Sequence, residues 1–326
     1  FYKPIAAVVA VFALVTAAQA VFLKTPTSDF SEITPMIGIS LIKFLIFMAV
    51  LCVIAFVRGG YSISALKARV SVYCQSEVFL FGLMGTILML VCSILFILQK
   101  CFIPYFNDFG FWDPLFVGWE KTLHGGHFPQ EWMISLVAHL PWLPKLLDIT
   151  YGLWFIVLYL TGAYCLYCDR DLQRRLHFLW GYVLTFIVGG SIAALAFSSV
   201  GPIFYAELIA QGGVDPYAFL HSHLAAEDAR VGLSFVHDRH WLVDWTTDAE
   251  VINLNSISAM PSMHNATMLF AAIYLKSVNR TAFWLVAGMT PLVFLASVYC
   301  GFHYAIDGYA GYLLVLALWP VAGWAA

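Results

Sequence analysis

Residues 78–99 read VFLFGLMGTILMLVCSILFILQ, an apolar run without one charged side chain. Roughly 20 such residues wound as a helix cross a hydrocarbon layer of about 30 Å. In lipid the run has no alternative to a helix, because every backbone N–H and C=O must find its partner within the segment. Working outward, comparable runs recur at 5–23, 35–57, 146–168, 176–200, 262–276, 281–300 and 303–324. The run at 262–276 is short for a span and is expected to begin earlier, near Ile257. The chain therefore reads as an all-α integral membrane protein with about eight transmembrane helices.

Composition leads to the same class. Of the 326 residues, 62% are hydrophobic and 11% charged, whereas a soluble domain carries about 25% charged residues. A net charge of -3 provides no basic field for a phosphate backbone, which excludes nucleic acid as an expected partner. The seven cysteines include one C-x-x-C, Cys165 to Cys168, without a second pair at zinc-ligand spacing; they read as small packing residues. His124 and His127 flank two glycines without a third ligand at a telling distance, so they read as loop histidines and no metal or other cofactor is expected. Lys3 followed by an apolar stretch and Ala18-Gln19-Ala20 imitates a secretory signal, but the apolar run continues through Leu23 and reads as a retained span.

Charge sets the expected orientation. Lys3, Arg58, Lys67, Arg69, Arg170, Arg174, Arg175, Lys276 and Arg280, nine of the sixteen Lys and Arg, crowd the short connections. Cations concentrate on the cytoplasmic side, so the two long segments, 100–145 and 201–256, are expected to face outward, with the protein in the cell's inner membrane. The first of these carries Phe109, Phe111, Trp112, Phe116 and Trp119, aromatic residues suited to short helices in the headgroup layer. The second is rich in ionisable side chains and reads as a small outer cap. Residues 1–77 form two N-terminal spans and a connection, and 78–326 a six-helix catalytic unit. No internal repeat supports a transporter of inverted repeats.

Ionisable groups at the edge of a span are costly and mark function. His264 opens the sixth run, and His303 and Asp307 open the eighth. Alternation of the spans puts all three on the outer face. A spacing of four places His303 and Asp307 on one helical face, where a carboxylate holds an imidazole in one tautomer. Two histidines and a carboxylate suit in-line phosphoryl transfer, with one imidazole attacking phosphorus and the other protonating the leaving oxygen.

Pro261-Ser262-Met263-His264 and His303-Tyr304-Ala305-Ile306-Asp307 resemble the second and third motifs of the type 2 phosphatidic acid phosphatase superfamily. Within it, Asp113-Pro114 and Gly201-Pro202 are similar to features of the branch of inositol phosphorylceramide synthases and their bacterial relatives. The resemblance covers roughly Phe106 to Pro320 and implies a six-helix core, with His303 as nucleophile, Asp307 as its orienting partner and His264 as general acid. It also exposes departures: the superfamily's Lys and Arg of the first motif fall on Ala194 and Gly201, its Arg before the nucleophile falls on Ser297, and the glycine of its second motif is Met263. Ser262, Ser297, Tyr304, Arg230 and Arg239 are the candidate substrate-binding residues, the two arginines as substitutes for the absent cations.

The expected activity is a lipid phosphotransferase, moving a phosphoryl or phospho-headgroup from a phospholipid or polyprenyl-phosphate donor to a hydroxyl acceptor through a phosphohistidine. The alternatives are a lipid-phosphate phosphatase using water and a non-enzymatic lipid transporter. Lipid substrates and the membrane are the expected partners.

Overall fold

The computed structural model describes residues 2–23, 60–74, 76–106, 111–237, 239 and 257–326, together with positions 49, 53, 56 and 57. The second expected span, 35–57, lies outside the described residues apart from those four positions. The long elements among the described residues are helices: α1 (Lys3–Phe22), α2 (Ile63–Cys74), α3 (Glu77–Phe106), α4 (Asp113–Leu123), α5 (Pro129–His139), α6 (Leu143–Tyr167), α7 (Leu172–Ala196), α8 (Ala218–Val231), α9 (Met263–Lys276), α10 (Arg280–Tyr299) and α11 (Ala305–Ala325).

Six of these, α1, α3 as far as Ile103, α6, α7, α10 and α11, are long and apolar enough to cross a membrane. Their outer faces carry large bare side chains, with Leu285 66% and Leu313 67% exposed, a surface stable against acyl chains rather than water. The protein is therefore an all-α integral membrane protein.

The sixth expected span is shorter than the sequence reading has it. It begins at Met263 rather than near Ile257, because Pro261 cannot continue a helix backward and Ser262 caps it, accepting a hydrogen bond from the Asn265 N–H at 3.4 Å. The fourteen residues of α9 reach only about 21 Å. They stand inside the bundle, with Ala266, Met268, Phe270 and Ala271 almost wholly buried. Conversely, α3 runs past Gln99 to Phe106, so Lys100 belongs to a helix and not to the start of a loop.

Hydroxyl and amide groups join the helices where lipid offers no competing partner. Ser93 meets the Tyr182 hydroxyl at 2.7 Å, Thr86 meets that of Tyr167 at 2.8 Å, and Gln99 donates to Thr16 at 2.9 Å. At one end of the bundle Asp169 takes both arms of Arg174, at 2.7 and 3.0 Å, and the Tyr274 hydroxyl at 3.0 Å, while Arg175 donates to the Leu166 carbonyl. At the other end α4, α5, α8 and the connections 197–204, 257–262 and 300–304 enclose a second apolar core around Phe116, Phe204, Tyr217, Leu220 and Tyr299. Cys92, Cys165 and Cys300 are buried packing residues of the two cores.

Candidate active site

Three connections meet above the second core and are joined through their backbones. Ala259 N donates to Ser199 O at 2.9 Å, Ile203 N to Gly301 O at 2.8 Å, and Ser262 N to Asp307 O at 2.9 Å. Gly201 makes the approach possible: its φ is +85°, and a Cβ there would stand 2.6 Å from the Phe302 carbonyl oxygen.

Two carboxylates from α4 fasten this assembly from behind. Asp113, Phe116 and Glu120 occupy one buried face of the helix. Asp113 accepts from Ser199 Oγ (3.1 Å), Val200 N (3.0 Å), Gly201 N (3.0 Å) and the Tyr304 hydroxyl (2.9 Å). Glu120 accepts from Ala305 N (2.8 Å) and Ile306 N (3.3 Å), the first amides of α11. Burial pushes the Asp113 carboxyl above its ordinary value, against the pull of the donors on Val200, Tyr304, Gly201 and Ser199. Burial likewise raises Glu120 to about 7, helped by the neighbouring charge of Asp307 and opposed by the two helix amides.

The histidines meet in front of this frame. His303 Nδ1 lies 2.9 Å from the Ala259 carbonyl oxygen, and its Nε2 lies 3.0 Å from His264 Nδ1. A carbonyl can only accept, so the proton of neutral His303 sits on Nδ1 and its Nε2 carries the lone pair. His264 must then donate from Nδ1. Its ring stacks on Tyr151, with centroids 4.8 Å apart and 23° between planes, and meets Trp154 edge-on at 4.5 Å. Both aromatics come from α6, and Tyr151 also stacks on Phe302, the neighbour of His303.

Asp307 is present but differs from the expected helical pair. His303 precedes α11, Tyr304 is the N-cap, and Asp307 occupies the third position of the helix, where its Oδ2 accepts the Tyr304 N–H at 2.9 Å. The same oxygen stands 3.4 Å from His303 Nδ1, beside the shorter bond to Ala259. Asp307 is wholly buried and His303 3% exposed.

Ser262, Ser297 and Tyr304 adjoin the pair but are buried and engaged. Asn265 Nδ2 donates to Ser262 Oγ at 3.0 Å and to Ser297 Oγ at 3.1 Å, and Ser297 donates to Phe294 O. The structure does not bring the two arginines to the histidines. Arg230 pairs with Glu227 and donates to the Pro141 carbonyl, while Arg239 pairs with Glu207 and donates to that of Ile203. His124 bonds the Glu120 carbonyl and the Tyr309 hydroxyl, and His127 pairs with Glu131. Sequence reasoning missed Ala259, Tyr151, Trp154, Glu120 and Lys100. Glu120 was within reach, since it lies seven residues after Asp113 and so shares its helical face. A carbonyl acceptor such as Ala259 leaves no mark in side-chain identity.

A family model described as the PAP2 superfamily matches residues 116–321, more than half of the chain and inclusive of both histidines and Asp307. The chain belongs to the PAP2 superfamily. Neither a curated protein nor a solved structure matches it. PAP2 membership, with the buried His and Asp groups, supports a phosphatase-type active site acting on phosphoesters.

Proposed function

We propose that this PAP2 protein cleaves a lipid phosphoester through a phosphohistidine on His303, with water as the acceptor in its simplest cycle. The observation that carries the reading is the pair of imidazoles at 3.0 Å, with the Ala259 carbonyl holding the proton of His303 on Nδ1 so that Nε2 carries the lone pair. In the first step His303 Nε2 attacks phosphorus, the bond from phosphorus to the lipid oxygen breaks, and His264, entering the step as the imidazolium, delivers a proton to that oxygen and is left neutral. In the second, His264 takes a proton from water as its oxygen attacks phosphorus, and the nitrogen–phosphorus bond breaks to release phosphate. Asp307 and the Ala259 carbonyl hold the His303 tautomer and offset the charge it gains.

A second reading keeps the same first step and admits a lipid or sugar hydroxyl in place of water, as in the branch of the inositol phosphorylceramide synthases. It is supported by Ala194, Gly201 and Ser297 at positions where the superfamily pattern carries cations: a phosphodiester brings less charge than a phosphomonoester dianion and needs less compensation. Ser262, Ser297 and Tyr304 shape the floor of the site in either reading. The catalytic unit spans 78–326 and opens on the extracytoplasmic face.

The test is turnover of a short-chain phosphatidic acid and of a phospholipid diester, each with and without an alcohol acceptor. His303→Ala abolishes both reactions, and a His264→Gln variant accumulates acid-labile phosphate on His303. Wild-type turnover by His303→Ala ends the mechanism. Free phosphate without acceptor identifies the hydrolase; product only with acceptor identifies the transferase.

A further inference from the structure

A phosphate that enters beside the two imidazoles carries more negative charge than one imidazolium offsets, and the other cations expected to compensate it are engaged elsewhere or absent. Arg230 and Arg239 are paired with glutamates. Lys145 is paired with Asp148, and Lys121 rests on the face of Phe128, 4.5 Å from its centroid. Lys100 also lies over a ring, but more distantly, and it is half-buried on α3 where Lys121 is exposed. Among the described residues it forms no ion pair and no hydrogen bond; its Nζ stands 5.8 Å from the centre of the Phe96 ring, one turn back along α3.

That posture points the chain down into the bundle. Side chains on a helix lean toward its N-terminus, and a lysine near the end of a span usually extends instead to the polar layer. Phe96 packs against Gly190 of α7, where a Cβ would meet its ring at 2.6 Å and the Met263 Cε at 3.6 Å. Met263 is the residue before His264. Lys100 thus stands over the seam between α3, α7 and the start of α9, the helix that carries His264. An ionised side chain facing a bundle interior without an anionic partner marks a place where an anion binds.

We propose that Lys100 is the phosphate-binding cation of this site, pairing with a non-bridging oxygen of the substrate while His303 attacks phosphorus. The inference rests on the phosphoester reading above, but the residue comes from α3, outside the matched region 116–321. The charge acts most strongly when the equatorial oxygens gain negative charge in the transition state, so both binding and turnover depend on it.

The experiment uses the detergent-purified full chain, with orthovanadate as the phosphate analogue and dioctanoyl phosphatidic acid as substrate. Vanadate affinity is measured by calorimetry for the wild type, Lys100→Met and Lys100→Arg. Lys100→Met, which keeps the apolar stem, weakens vanadate binding by about tenfold or more and lowers kcat/KM at least as much; Lys100→Arg recovers most of both. Lys100→Gln carries the same expectation should the methionine variant not remain monodisperse. Unchanged vanadate affinity in Lys100→Met, or a wild type that binds no vanadate, overturns the proposal. If His303→Ala is inactive while Lys100→Met turns over normally, Lys100 is excluded and the phosphoester reading stands. If His303→Ala keeps full turnover, that reading fails first.

Discussion

Replacing Gly201 by alanine tests whether the backbone seam holds the nucleophile in place. Two costs arise together. At φ +85° and ψ 163°, the residue occupies a region essentially reserved for glycine, and a side chain there costs about 1–3 kcal/mol. The new Cβ would also stand 2.6 Å from the Phe302 carbonyl oxygen and 3.2 Å from its carbon, a shortfall of roughly 0.7 Å against a close carbon–oxygen contact. Backbone, not a flexible side chain, has to yield. Strain and overpacking together amount to on the order of 4 kcal/mol.

Phe302 precedes His303, so a shift that relieves the clash carries the imidazole with it. A misplacement of about 1 Å costs roughly 100-fold in rate, and a shift of this size is expected to lower turnover by some tens of fold. The control is Gly212→Ala, where φ is +88° but no atom lies within 4 Å of the added carbon. That variant incurs the conformational strain alone and is expected to keep near wild-type turnover. Thermal unfolding in detergent and turnover of the same substrate are measured for both. Equal losses in the two variants would refute the claim that the contact with Phe302 positions His303.

Asp113→Ala strands the amides of Val200 and Gly201 and two hydroxyls inside the protein; at about 1–3 kcal/mol for each unsatisfied group, it is expected to lower the unfolding midpoint steeply, whereas Asp113→Asn retains one acceptor and loses less. Glu120 has a folded value raised to about 7 from 4.5 by burial, so the native state holds the proton more tightly than the unfolded chain. Its contribution to stability therefore falls as pH rises between those two values and is flat above; Glu120→Gln is expected to remove that part of the pH dependence, read from unfolding midpoints between pH 4 and 8. Ser297→Arg forces a guanidinium into the buried hydrogen bonds of Asn265 and Phe294, and is expected to destabilise the protein by several kcal/mol without raising turnover of a diester; a gain in diester turnover would contradict this.

The apolar runs at 5–23, 78–99, 146–168, 176–200, 281–300 and 303–324 were legible because span length and hydropathy are local properties, and each corresponds to a helix long enough to cross the membrane. The boundaries were less so. Where α9 begins depends on Pro261 and Ser262, and the extension of α3 past Gln99 turns Lys100 from a loop residue into one that looks inward. The histidines were visible as polar groups at span edges, and the structure brings them together. What sequence could not carry is the partner of each polar group. Arg230 and Arg239 have the right chemistry for a phosphate, yet tertiary contacts with Glu227 and Glu207 engage them. Asp307 was read as sharing a helical face with His303, but the helix begins after His303, so the carboxylate caps the turn while a distant carbonyl takes the imidazole proton.

The placement of the acidic groups bears on where a phosphate can bind. Asp113, Glu120 and Asp307 are all buried behind His303, and each accepts backbone N–H groups of the connections or of the first turn of α11. A helix N-terminus with free amides is a ready anion site, but here Glu120 has already taken the amides of Ala305 and Ile306, and Asp307 that of the N-cap Tyr304, so the positive end of the helix dipole is directed at protein carboxylates. An incoming phosphate thus finds neither the α11 amides nor the cations of the superfamily's usual motifs. On the proposal above the compensating charge comes from Lys100 of α3, while Tyr151 and Trp154 of α6 pack against the His264 ring. If substrates are discriminated by the charge they bring, as the second reading has it, the variants of Lys100 separate the two substrates: the loss in turnover is larger for a dianionic monoester than for a diester, which leaves less charge to compensate.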